Sequence, residues 1–175
     1  MLIEESFRKG AAIPLCNFTF IQAWLCFVVN EYLAGIKTYS LCGQMLLQMK
    51  NYKLAAIVYT KLVNTSYSMP EPQPSEFKLY SYKQLSFTYL QLKEYNLALK
   101  SAKRMLQLAW VVDSCTAEMG AYELMSQSYF YLGDLRKSGY YNKRCMQGIT
   151  EAKFSRVRKI NVISSEDHEM YLKRP

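Results

Sequence analysis

Tyr82–Met105, YKQLSFTYLQLKEYNLALKSAKRM, carries a pattern that returns in Tyr39–Leu62 (YSLCGQMLLQMKNYKLAAIVYTKL) and in Tyr122–Cys145 (YELMSQSYFYLGDLRKSGYYNKRC). In each copy an aromatic is followed, three residues on, by an apolar and a small side chain: Cys42-Gly43, Leu85-Ser86 or Met125-Ser126. A bulky residue comes three positions later, at Leu46, Tyr89 or Tyr129. This spacing keeps aromatic, small and bulky groups on one helical face. A polar pair and an apolar anchor follow: Lys50-Asn51-Tyr52, Lys93-Glu94-Tyr95 and Gly133-Asp134-Leu135. The contact face of a second helix then opens with Ala55, Ala98 or Ser138, small enough for two antiparallel helices to come close. A helical unit of this length cannot bury its apolar face alone, so copies must stack. The pattern predicts an all-α solenoid.

At these residues the chain resembles the tetratricopeptide repeat, a helix-turn-helix unit of about 34 residues, and the resemblance covers roughly 100 residues. Tyr39, Tyr82 and Tyr122 stand where that family often has Trp. The late aromatic slot of the second helix is Tyr59, then Ala102, then Asn142 beside Tyr141, and no proline closes a repeat. The anchors Tyr52, Tyr95 and Leu135 lie 43 and 40 residues apart, so loops are inserted. The resemblance implies three helix pairs over 38–150, with the first helix of each pair lining a groove. That face would carry Lys37, Ser40, Gln44, Leu47 and Gln48, then Tyr80, Lys83, Phe87, Leu90 and Gln91, then Glu123, Gln127, Phe130 and Tyr131. Family members that hold chaperone C-terminal carboxylates use a Lys, Asn and Arg clamp, and only Lys83 falls near such a place. An extended peptide or a neighbour's helix suits the mixed groove better. Tyr80, Lys83, Phe87, Phe130 and Tyr131 are the expected anchors.

Flanking segments break the pattern. Asn64–Phe77 contains Pro70, Pro72 and Pro74, which cannot continue a helix and favour an extended chain, so 64–77 reads as a loop. Asp113-Ser114 offers a helix N-cap, ending a helix that runs from about Tyr95 to Val112. Residues 11–30 hold no charge, about the length of a bilayer span. Pro14, Asn17, Thr19 and Gln22 weaken that reading, and the alternative is a buried helix from about Asn17 to Gly35 within an N-terminal packing segment, 1–37. Residues 151–175 lose the helical rhythm and read as a basic, partly extended tail. Its Lys153, Arg156, Arg158 and Lys159 are expected to seat on an acidic partner.

The chain has 175 residues, 50% of them hydrophobic, enough for a sizeable core in one body. Its net charge of +8 gathers on 38–110, where nine Lys/Arg face three Asp/Glu. Such a field favours acidic partners, whether protein, nucleic acid or lipid head groups. No zinc-finger spacing, phosphate loop or RNA-binding aromatic motif is present, which argues against nucleic acid. The single His168 lies in the tail and the five cysteines have no paired spacing, so neither acid–base catalysis nor a metal knuckle is indicated. An odd cysteine count points to reduced thiols in an intracellular compartment. The expected protein is a non-catalytic, cofactor-free interaction scaffold in a larger assembly. Short basic repeat chains of this kind resemble ciliary, axonemal and microtubule-bound subunits, with tubulin as an acidic partner. A membrane-anchored adaptor using 11–30 and a helical-repeat nucleic-acid binder are the alternatives.

Overall fold

The computed structural model describes Pro14 and residues 17–26, 28–29, 31–68 and 75–150. A first helix, α1, occupies 17–26. It is followed by α2 (Tyr32–Gln48), α3 (Tyr52–Ser68), α4 (Ser75–Gln91), α5 (Tyr95–Val111), α6 (Cys115–Tyr131) and α7 (Leu135–Thr150), and no strand occurs among the described residues. Each helix from α2 onward packs on the next in chain order. In addition α4 packs on α6 and touches α2, while no comparable contact joins α3 to α5 or α5 to α7 among the described residues. The helices therefore form two layers, α2, α4 and α6 inside and α3, α5 and α7 outside. This is a helical-repeat solenoid.

One turn builds most of it. Helix starts fall 20 residues apart at Ser75, Tyr95, Cys115 and Leu135, and likewise at Tyr32 and Tyr52. Between α2 and α3, α4 and α5, α5 and α6, and α6 and α7 the connection is three residues long. Its middle residue is left-handed: Lys50 (φ 58°), Lys93 (φ 62°), Asp113 (φ 55°) or Gly133 (φ 83°). The amide after it reaches back to the helix it leaves, as in Asn51 N–H to Leu46 C=O at 2.9 Å, Glu94 to Tyr89 at 2.9 Å, Ser114 to Ala109 at 2.9 Å and Asp134 to Tyr129 at 3.0 Å. These are the six-to-one bonds of a Schellman ending, which satisfy carbonyls a helix C-terminus would otherwise orphan. At three of the four turns the same residue then caps the next helix with its side chain. Asn51 Oδ1 accepts from the Leu54 amide (3.4 Å), Ser114 Oγ from Ala117 (3.4 Å) and Asp134 Oδ1 from Lys137 (3.0 Å). The Asp134 carboxyl is held below its ordinary range chiefly by that amide bond. The polar pairs of the sequence pattern are thus one helix's ending and the next one's start.

Two apolar clusters make the core. One joins α1 to α4 through Ala23, Ile36, Cys42, Leu46, Val58, Tyr59, Leu62 and Leu85. The other joins α4 to α7 through Leu90, Ala102, Met105, Leu106, Tyr122, Met125, Tyr129 and Tyr141. Tyr82 and Tyr89 of α4 pack against both. Burying each large apolar side chain contributes about 1.5–3 kcal/mol.

The small residues behave as the pattern requires, with one refinement. Gly43 faces the fully buried Tyr59, and a Cβ there would lie 2.5 Å from the ring. In the second pair Ser86 replaces the glycine and Ala102 the tyrosine, and the Ser86 hydroxyl donates to the Ala98 carbonyl across the helix contact at 2.8 Å. In the third, Ser126 donates to the Ser138 carbonyl at 3.0 Å.

Four expectations need correction. The proline-rich segment is shorter as a loop than 64–77, because α3 runs to Ser68 and α4 begins at Ser75. The single helix from about Asn17 to Gly35 is interrupted before Tyr32, where Glu31 N–H bonds back to the Cys26 carbonyl at 2.7 Å. The boundary placed after Lys37 consequently falls inside α2. Leu90, expected on the groove face, is buried in the second cluster.

Candidate functional site

Equivalent positions of the inner helices α2, α4 and α6 form columns along the stack. One column is Gln44, Phe87, Gln127 and another Gln48, Gln91, Tyr131, and all six side chains are exposed. Phe87, Phe130 and Tyr131 are 41%, 58% and 56% exposed, large values for aromatics in a folded body. Their exposure is what the sequence could not decide, since the same spacing also suits a core.

Local contacts hold this face in shape. Gln44 Nε2 donates to the Tyr80 hydroxyl at 2.8 Å, tying α2 to α4 across the groove. Tyr80 is half-buried and meets the Tyr59 ring edge-on at 6.5 Å, so it braces the wall more than it offers a free anchor. Tyr131 stacks on Tyr95 at 5.0 Å and 9°, and Phe130 lies edge-on to Tyr131 at 5.5 Å. Lys83 and Glu123 occupy equivalent exposed positions on α4 and α6. Phe87, Phe130, Tyr131 and Lys83 are exposed on the inner helices, Phe130 at the position that is buried as Leu90 on α4. Lys153, Arg156, Arg158 and Lys159 lie outside the described residues.

Several tyrosines are shielded instead. Burial pushes the phenols of Tyr39, Tyr59, Tyr82 and Tyr122 above their ordinary range, aided at Tyr82 by the Tyr67 hydroxyl and at Tyr122 by the Glu118 carboxylate. The Tyr82 hydroxyl donates to that of Tyr67 at 3.3 Å, and Tyr122 to Glu118 at 3.0 Å. The Tyr59 hydroxyl lies buried beside that of Tyr80, which adds to the upward push on its phenol, but no hydrogen bond of good geometry joins them.

Charge is sorted by layer, which no reading of the linear chain displayed. The outer helices hold Lys53 and Lys61 on α3, Lys100, Lys103 and Arg104 on α5, and Arg136, Lys137, Lys143 and Arg144 on α7, with no Asp or Glu among them. The inner helices balance, with Lys37, Lys78 and Lys83 against Glu76, Glu118 and Glu123. Along the chain 111–150 sums to zero, because the acids of α6 and its turns offset the cations of α7.

Outside α3, where no α5 contact covers it, lies an open cleft of about 220 Å³ lined by Ala56, Ile57, Thr60, Lys61, Asn64 and Tyr89. Among the described residues, no three His, Cys, Asp or Glu side chains converge as metal ligands. Cys26, Cys42, Cys115 and Cys145 form no disulfide. Among the described residues no helix is long and apolar enough to cross a membrane. No protein-family model matches the chain, and no curated protein matches it by sequence.

Proposed function

We propose that the chain is a non-catalytic, tetratricopeptide-like interaction scaffold whose inner face holds an extended peptide or a helix of a neighbouring subunit. The observation that carries this reading is the row of exposed aromatic and carboxamide side chains on one layer, Phe87, Phe130 and Tyr131 among Gln48, Gln91 and Gln127. Carboxamides can pair with a peptide backbone, donor to acceptor, while aromatics give area at low entropic cost. The setting we favour is a microtubule-bound or axonemal assembly, since an acidic polymer surface complements a chain of net charge +8.

A photoreactive phenylalanine analogue placed at Phe87, Phe130 and, as a control, at outer-face Lys100 tests it in native extract. The expected result is one partner captured from both inner positions and not from position 100. Capture from position 100 alone would remove the groove from the account. Microtubule co-sedimentation of the full chain tests the setting, with failure to pellet at low salt counting against it.

A further inference from the structure

The outer face of α1 departs from its sister helices in a way that identifies a second surface. Tyr39 of α2 meets Phe20 of α1 edge-on at 5.6 Å, and the equivalent Tyr82 of α4 also meets the outer helix before it, though at a different height, its hydroxyl donating to that of Tyr67 on α3 at 3.3 Å. The turn after α1 also makes the same six-to-one bond, Glu31 to Cys26, as Ser114 makes to Ala109 after α5. Helix α1 therefore stands where the outer helix of a preceding pair would stand. Among its described residues the buried side faces inward, with Ala23 fully buried and the Thr19 hydroxyl donating to Cys42 Sγ at 3.1 Å.

This register aligns the outer helices residue by residue. The position filled by Lys61, Arg104 and Arg144 on α3, α5 and α7 is Ile21 on α1. The position filled by Asn64, Gln107 and Gln147 is Trp24. Ile21 and Trp24 are 60% and 61% exposed, and Phe18 and Leu25 beside them 66% and 51%. One outer face thus begins with an uncharged aromatic and aliphatic end and continues as a column of cations without a single acid on α3, α5 or α7.

The geometry points to an anionic lipid surface as the occupant of this face. An apolar helix side with Trp and Phe seats at the head-group boundary, and cations nearby hold the negative leaflet at about 1 kcal/mol each. A nucleic acid or an acidic peptide would engage the cations and leave the apolar end in water. A second copy would cover the apolar end and place the basic layers of two positively charged chains on one body. This docking is peripheral and independent of the inner groove, so either surface can fail without the other.

Flotation of the full chain with phosphatidylcholine vesicles, with and without phosphatidylserine, tests it. The expected result is flotation with the anionic vesicles alone, and a blue shift of Trp24 emission in a Trp110→Phe background. Ile21→Glu/Trp24→Glu and Lys61→Glu/Arg104→Glu replace exposed side chains, so both variants should keep the wild-type helical signal and melting. Each should cut partitioning at least tenfold, as expected when two cations of about fivefold each are lost. The tail is unchanged in both, so its charge cannot account for the difference. Absence of flotation, flotation that Ile21→Glu/Trp24→Glu leaves intact, or a lipid-free dimer dissolved by that variant would each overturn the proposal.

Discussion

At the residue scale the tightest contact is Gly43 against Tyr59. A glycine inside a helix ordinarily costs about 0.5–1 kcal/mol relative to alanine, so Gly43→Ala would stabilise an isolated helix. Here the added methyl meets two ring carbons and the hydroxyl oxygen of Tyr59 at 2.5–2.9 Å, and overpacking of this kind costs about 1–3 kcal/mol. Steric cost wins, and the urea midpoint of Gly43→Ala should fall. Tyr59→Phe should go the other way or leave stability unchanged, because it removes a buried hydroxyl that forms no hydrogen bond of good geometry with the nearby Tyr80 while keeping the ring. A lower midpoint for Tyr59→Phe would show that the hydroxyl is bonded in solution. The phenols also set an alkaline limit. Burial raises the folded pKa of Tyr39, Tyr59, Tyr82 and Tyr122 above the unfolded value of about 10. The unfolded chain then loses protons that the folded chain keeps, so stability is complete below about pH 10 and declines as pH rises beyond it. Phenolate absorbance during an alkaline titration should show these four tyrosines ionising only with loss of the helical signal. Smooth ionisation of all tyrosines before unfolding would contradict it.

At the element scale the repeated three-residue turn tests itself, because different residues fill one backbone conformation. Lys93 and Gly133 both lie in the left-handed region, where a non-glycine residue is strained by about 1–2 kcal/mol. Lys93→Gly relieves that strain at some entropic cost, for an expected net gain of about 0.5 kcal/mol, while Gly133→Ala should lose about 1 kcal/mol. Melting temperatures of the two variants should move in opposite directions. Most of these elements could be read in the sequence, since Lys50-Asn51-Tyr52, Lys93-Glu94-Tyr95 and Gly133-Asp134-Leu135 mark the turns and Ser114 marks the start of α6. What was missed has physical causes. Proline at Pro70 signals the break between α3 and α4 but not how closely the helices approach it. Residues 17–35 held no glycine or proline before Gly35 to mark a stop, so the turn ahead of Tyr32 was invisible. The apolar run was legible as a helix and its composition was not a guide to burial, because Ala23 and Thr19 pack inward while Phe18, Ile21 and Trp24 face out. Phe87 and Phe130 posed the same ambiguity, since helical spacing fits a groove as well as a core.

At the scale of the molecule the stack is two cores meeting at one helix. Leu85 of α4 belongs to the cluster shared with α1, α2 and α3, and Leu90 to the one shared with α5, α6 and α7. The α3-to-α4 connection also departs from the three-residue turn used elsewhere, and the outer cleft at Ile57, Thr60 and Tyr89 opens beside it. In a solenoid each unit is stabilised mainly by itself and its neighbours, so damage stays local unless the joint transmits it. Here the joint consists of Tyr82 and Tyr89, partly buried and touching both cores. Met125 is fully buried in the second core, and Met125→Ala should cost about 2–5 kcal/mol through lost transfer energy and the cavity left behind. Native-state hydrogen exchange of that variant should show faster exchange in α5, α6 and α7, while α2 and α3 keep their wild-type protection. If amides of Ile36–Leu46 and Val58–Leu62 accelerate by the same factor, the two clusters fold as one cooperative unit and α4 is a continuous core helix. The unequal connection lengths argue for the first outcome, because the 20-residue rhythm that aligns α4 through α7, and α2 with α3, is broken where α3 hands over to α4.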